Sequence, residues 1–222
     1  MPPPPIKKRR GANLPHWEQP GASYSVTFRL FGSLPQPLLK ELTDMKRRHE
    51  LAASQEGRTL TPQEADQIEY LRSERVNDWL DLGLGDTHMR RPAVADVVAG
   101  ALRHFDGNRY TLGAWVVMPN HVHVVFTPTE QHTLSSILRS WKNFSAVHAN
   151  KIIARSGPFW QAESYDHLIR SPADCEHALR YVLSNPAKAK LSPWPWVSSD
   201  STAATFLTTF TKHWLATHTR QP

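Results

Sequence analysis

A chain of 222 residues, 40% of them hydrophobic, has enough apolar surface for one sizeable core and a small appended element. None of its runs reaches the roughly 18 to 20 apolar residues of a membrane span, which excludes an integral membrane protein of helical type. Lys and Arg number 26 against 20 Asp and Glu, a formal net charge of +6 that favours an anionic partner, and the single cysteine, Cys175, excludes an internal disulfide and fits a reducing, cytoplasmic compartment.

In chain order, four prolines and then Lys7, Lys8, Arg9 and Arg10 predict an unfolded basic arm over residues 1–20, able to grip phosphates and followed by no apolar stretch of a secretory leader. Ser23 to Phe31 is rich in β-formers and is closed by Gly32, Pro35 and Pro37, which predicts the first strand. A helix follows from Leu38 to about Ala53. Thr61-Pro-Gln-Glu64 opens a second with a complete capping box, and Gly83 and Gly85 end it. A third covers Ala93 to Phe105. This helical stretch, about 38–105, is longer than a crossover requires and reads as an insertion. Glu56 to Asp86 carries eight acids against three arginines, and the acidic helix is expected to face solvent.

From Tyr110 to Phe126, two β-rich runs flank Pro119-Asn120 and predict a hairpin. Alternation after the turn puts His121, His123 and Val125 on one face and Val122, Val124 and Phe126 on the other. The second set is wholly apolar and can be buried under helices, leaving two imidazoles together at a spacing suited to a divalent cation; two ligands alone do not identify the metal. Leu134, Ile137, Leu138, Trp141 and His148 then give an amphipathic helix from Thr133 to about Ile153. Gln131 to Ala162 contains no acid, and Arg139, Lys142, Lys151 and Arg155 make it a basic face that a phosphate backbone could follow.

Ser164 to Arg170 predicts a last strand, carrying Tyr165 and His167. Ser171-Pro172 opens a helix expected to end near Asn185 because Pro186 follows. Its apolar stripe is Cys175, Ala178, Leu179 and Val182, and Tyr181 and Asn185 stand one above the other on a flank of that stripe. Trp194 and Trp196, each preceded by a proline, are expected to close over the sheet. Residues 21–197 form the main domain and 198–222 a tail or short helix. The order strand, helices, hairpin, helix, strand is that of an α+β, ferredoxin-like antiparallel sheet with helices on one face and one more helix appended.

Three blocks in series, Met118-Pro-Asn-His-Val-His123, Phe159-Trp-Gln-Ala-Glu-Ser-Tyr-Asp-His-Leu-Ile-Arg170 and Arg180-Tyr-Val-Leu-Ser-Asn-Pro-Ala-Lys188, resemble the single-tyrosine HUH transposases of the IS200/IS605 type. Within that group the chain most resembles the REP-associated tyrosine transposases, over roughly Tyr24 to Leu191. The resemblance implies that His121 and His123 are ligands of Mg²⁺ or Mn²⁺ and that Tyr181 is the nucleophile. Asn185 would be the third ligand, where insertion-sequence relatives carry a glutamine. It implies cleavage and rejoining of single-stranded DNA at hairpin-forming palindromic repeats through a 5′-phosphotyrosine, in the cytoplasm at the nucleoid, by a monomer in the REP-associated branch or a homodimer as in insertion-sequence relatives. Tyr165 is the rival nucleophile and His167 a possible orienting group. Trp141 and Trp160 read as core or as base-stacking groups. A hairpin-binding protein that no longer cuts, and an RRM-like RNA-binding module, are the competing readings.

Overall fold

The computed structural model describes residues 7–10 and 15–218, with side chains from Glu18 onward. Six strands are formed: β1 Lys7–Arg10, β2 Pro15–Glu18, β3 Tyr24–Arg29, β4 Tyr110–Val117, β5 His121–Pro128 and β6 Tyr165–Leu168. Among them run six helices: α1 Gln36–Gln55, α2 Pro62–Asp81, α3 Pro92–Arg103, α4 Leu134–Ile152, α5 Pro172–Lys188 and α6 Asp200–His218. β3 to β6 build one antiparallel sheet in the order β4-β5-β3-β6. Counting only those four strands, the order is two, three, one, four, which is the ferredoxin-like arrangement expected.

Alternation along the strands divides the interior in two. Val26, Phe28, Val122, Val124 and Phe126 point to α3 and α4 and join Leu102, Leu138 and Trp141 in the larger core. On the other face Ala114, Val116, Met118 and Val125 meet Cys175, Leu179 and Val182 of α5 and Phe206 of α6 in a second one. The apolar set of β5 is thus buried under helices as its pattern requires. Helices cover both faces, however, because α5 and α6 pack on the side that the sequence left to the histidines.

Several expectations change. The basic run Lys7–Arg10 is a strand paired with Pro15–Glu18 and not an unfolded arm, while residues 1–6 and 11–14 and the side chains of Lys7, Lys8, Arg9 and Arg10 lie outside the described residues. The segment from 198, expected as a tail or short helix, holds the 19-residue α6. It docks where Gly113 sits in a β-bulge; a Cβ there would come within 2.8 Å of the Phe206 ring. α5 does not end at Asn185: it runs to Lys188 with Pro186 inside. Proline removes only its own N–H from the ladder, and the helix resumes at once with Ala189 N–H donating to the Asn185 carbonyl at 3.0 Å. His148 is exposed and stacks on Phe144, and Ala149 takes its place in the buried stripe of α4. No described helix is long and apolar enough to cross a membrane.

Candidate active site

The turn between β4 and β5 sets the site. Asn120 is fully buried and its Nδ2 donates to the carbonyls of Leu80, at 3.1 Å, and Leu84, at 3.3 Å. Those bonds fasten the hairpin to the C-terminal end of α2. They also leave Asn120 Oδ1 as an acceptor only, 2.7 Å from His121 Nδ1. His121 Nδ1 must therefore carry the proton, and its Nε2 presents a lone pair. That Nε2 lies 2.8 Å from Nε2 of His123, whose Nδ1 meets the Thr27 hydroxyl at 2.7 Å. A hydroxyl can accept or donate, so the pair holds either one shared proton or two lone pairs aimed at a common point.

Asp81, the last residue of α2, completes the arrangement. Its Oδ1 is 3.6 Å from His121 Nε2, and the ligand atoms of Asp81, His121 and His123 all lie within 4.8 Å of one another. This oxygen is buried without a hydrogen-bond partner, as is Oδ1 of Asn185. Ligands about 2.1 Å from one cation stand about 3 Å apart when adjacent, so the spacings fit an ion seated among them. Burial depresses both histidines, His121 well below its ordinary value and His123 to about 3, which keeps them neutral as ligation requires. Burial likewise pushes the Asp81 carboxyl up to about 6, partly opposed by the Lys188 ammonium. A part-buried carboxylate with one orphaned oxygen beside two neutral imidazoles is a donor set suited to a hard or borderline divalent cation.

Tyr181, Asn185 and Lys188 lie on one flank of α5 at i, i+4 and i+7. The half-buried Tyr181 ring meets His123 edge to face with centroids 5.1 Å apart, and Lys188 Nζ lies 4.7 Å from the same ring. Burial first, then the Asp81 carboxylate, push the phenol up to about 12. Asn185 is fully buried; its Nδ2 donates to the Tyr181 carbonyl at 3.4 Å, which leaves Oδ1 for another partner.

The other sequence candidates divide. Tyr165 is level with Thr27 and His123 in the sheet register, hence on the same face but two strands from His123, about 10 Å by strand spacing. Burial, with the field of Glu74, raises it too to about 12. His167 Nε2 meets both carboxylate oxygens of Asp174 at 3.0 Å, and Asp174 Oδ2 also accepts from Arg170 N–H, so His167 secures the start of α5 and does not join the metal cluster. Arg139 and Lys151 are exposed as expected. Lys142 and Arg155 are not free to grip DNA. Lys142 Nζ donates to the carbonyls of Gln161 and Ala162, with burial lowering it to about 8, and Arg155 Nη1 bonds His88 at 2.8 Å and faces Asp86 at 3.4 Å. Trp141 and Trp160 are buried, their indole N–H groups held by Tyr110 and Ser145. Trp194 and Trp196 stack edge to face across the sheet end, bonded to the Val117 carbonyl and Asp96.

Asp81, Asn120, Thr27 and Lys188 were not singled out from the sequence. Asn120 and Lys188 stand inside two of the motif blocks and could have been. Asp81 has no local signal, because only the tertiary fold brings the end of α2 to the hairpin. Nor does α2 simply face solvent: the charges of Glu74, Asp78 and Asp81 act on Tyr181.

Residues 92–185 match the family model described as "Transposase IS200 like". A REP-associated tyrosine transposase of Escherichia coli (strain K12) is 32% identical over 93 residues, 39% of this chain and 53% of the relative, so the chain spans about half the length of the curated protein it matches. A solved REP-associated tyrosine transposase bound to a REP hairpin is 18% identical, with a TM-score of 0.45 over 90% of this chain and 87% of that one.

Proposed function

Residues 92–185 belong to the IS200-like transposase family, and from that premise we propose that this protein is a divalent-metal-dependent single-strand DNA endonuclease and strand transferase acting at hairpin-forming repeats. The observation that carries the reading is the convergence of the His121 and His123 Nε2 atoms, 2.8 Å apart, beside a tyrosine whose ring packs on His123. His121 and His123 would hold Mg²⁺ or Mn²⁺ together with a nearby side-chain oxygen, Asn185 being the one expected from the motif. Such a cation would polarise a non-bridging oxygen of the scissile phosphate and align it.

The chain's own residues supply the rest. Tyr181 Oη attacks phosphorus in line. The bond to the 3′-oxygen breaks, that oxygen leaves as a 3′-hydroxyl after taking a proton, and the 5′-phosphate remains on the tyrosine. The reverse attack by a 3′-hydroxyl restores a phosphodiester without an outside energy source. A phenol held at about 12 is protonated at neutral pH, so its proton must leave as the bond to phosphorus forms, and solvent can carry it to the departing 3′-oxygen. Lys188, beside the ring, is placed to meet that phosphate. Exposed Arg139 and Lys151 offer backbone contacts.

A single strand bearing a hairpin and an internal label tests the reading. The expected result is label transfer to protein in Mg²⁺ or Mn²⁺, resistant to denaturant and absent from Tyr181→Phe. An adduct that persists in Tyr181→Phe and disappears in Tyr165→Phe would move the nucleophile to β6. Tight hairpin binding with no adduct from the wild type under any metal would make the protein a hairpin binder without cleavage.

A further inference from the structure

We infer that Asp81, supplied by the helical insertion, is the third protein ligand of the metal centre, ahead of Asn185 on the tyrosine helix. The inference rests on the metal-centred reading above and names a residue that the motif blocks do not contain. Two junctions bring Asp81 there. Asn120 holds the carbonyls on either side of it, Leu80 and Leu84, so the turn that presents His121 also fixes the end of α2. Gly85 then lets the chain pass against the turn that follows β3 at a distance no other residue permits: its φ is +72°, and a Cβ would lie 2.4 Å from the Gly32 carbonyl oxygen. Asp86 N–H closes this junction on the same Gly32 carbonyl at 3.0 Å.

The carboxylate itself behaves as a ligand awaiting its ion. Oδ1 is buried, has no hydrogen-bond donor, and lies 3.6 Å from the lone pair of His121 Nε2, a pairing of two acceptors that a cation between them would satisfy. Asn185 Oδ1 is also orphaned, yet it is a neutral amide oxygen, and Mg²⁺ and Mn²⁺ prefer carboxylate. Two neutral histidines and one aspartate give a donor set with one negative charge, and the amide is left to a fourth position. The insertion then becomes part of the centre, and metal binding should tighten the end of α2 onto the palm.

Mn²⁺ binding to the metal-free full chain, read by loss of the free Mn²⁺ paramagnetic signal and needing no DNA, tests this. Asp81→Ala should weaken Mn²⁺ on the order of tenfold or more, and Asn185→Ala only a few-fold. Asp81→Asn, which keeps shape and an oxygen but not the charge, should fall between wild type and Asp81→Ala and guards against misfolding. Mn²⁺ should also slow amide hydrogen exchange in the last turn of α2 in the wild type and not in Asp81→Ala. Asp81→Ala binding within threefold of wild type, or Asn185→Ala losing more than Asp81→Ala, would overturn the assignment while leaving the histidine centre intact. Equal Mn²⁺ binding by wild type and His123→Ala would instead remove the metal reading on which it rests.

Discussion

The two faces of β5 are buried equally and for opposite reasons. Val122, Val124 and Phe126 are fully buried against α3 and α4, and His121 and His123 are 0% and 2% exposed on the reverse. The apolar face needs only close packing. Each ring nitrogen on the other face needs a partner, and all four have one: Nδ1 of His121 meets Asn120, Nδ1 of His123 meets Thr27, and the two Nε2 atoms meet each other. Left without a partner are Asp81 Oδ1, 3.6 Å from His121 Nε2, and Asn185 Oδ1 on the helix that carries Tyr181. Burial alone therefore does not mark the site; what marks it is buried histidines beside an oxygen acceptor that has no donor.

The sharpest break of that comparison uses two neighbours on one strand. His123→Ala should abolish the covalent adduct while costing about 1–2 kcal/mol of stability for its lost hydrogen bonds. Phe126→Ala, on the opposite face, should cost about 3–5 kcal/mol through its cavity, and any protein that still folds should form the adduct. Denaturant melts read beside label transfer check both, and an adduct from His123→Ala at the wild-type level would dissolve the distinction between the faces. Asn120→Ala sits between the two classes. It frees the Leu80 and Leu84 carbonyls and the His121 tautomer together, so about 1–3 kcal/mol of stability and ten- to hundredfold in Mn²⁺ affinity should fall in one variant.

The legible part of this molecule is the part whose signals are local. Alternation from His121 to Phe126 and the stripe of Cys175, Ala178, Leu179 and Val182 each fixed an element and one buried face, the Thr61 capping box fixed the start of α2, and the structure agrees on those points. Tyr181 could be placed on the flank of α5 from helical spacing alone. What escaped depends on chain segments far apart in sequence. Asp81 reaches the site only because Asn120 and Gly85 pin its helix end, and Lys142 looks like a phosphate-binding lysine until the carbonyls of Gln161 and Ala162 are folded onto it. Pro186 misled for a different reason. A proline two residues before a helix end forfeits one hydrogen bond, a cost that docking of the flanking Val182 and Asn185 outweighs.

Asp81 gives a smaller effect whose sign depends on conditions. Its folded value of about 6 lies above its ordinary 3.8, so without metal the native state favours the protonated carboxyl. Stability contributed by Asp81 is greatest in acid and declines as pH rises from 3.8 to 6, after which the cost of the buried charge is constant. Asp81→Asn should therefore be more stable than wild type above pH 6 in chelator, on the order of 1–2 kcal/mol after discounting for partial solvent screening, and the gain should vanish by about pH 4. The difference between the two pH profiles reports Asp81 together with its effect on His121, 3.6 Å away. With Mn²⁺ in excess the order should reverse. A variant less stable than wild type at pH 8 in chelator would mean that Asp81 has a partner in the metal-free fold.

The smallest effect separates the four cations of the basic segment. Arg139 and Lys151 are exposed on α4 and 151 lies at its end, whereas Lys142 and Arg155 already hold backbone carbonyls, His88 and Asp86. Phosphate contacts release counterions, and each one lost lowers the salt slope of single-strand affinity by roughly 0.7. Arg139→Ala and Lys151→Ala should each show that decrement with an unchanged melting temperature. Lys142→Met removes two hydrogen bonds to the loop carbonyls, one part-buried and one exposed, so it should lower the melting temperature slightly and leave the slope where it was. Fluorescence anisotropy of a labelled strand across a salt series would read the slope. A decrement in Lys142→Met as large as that in Arg139→Ala would mean that DNA draws the lysine away from Gln161 and Ala162, and that the loop carrying them opens on binding.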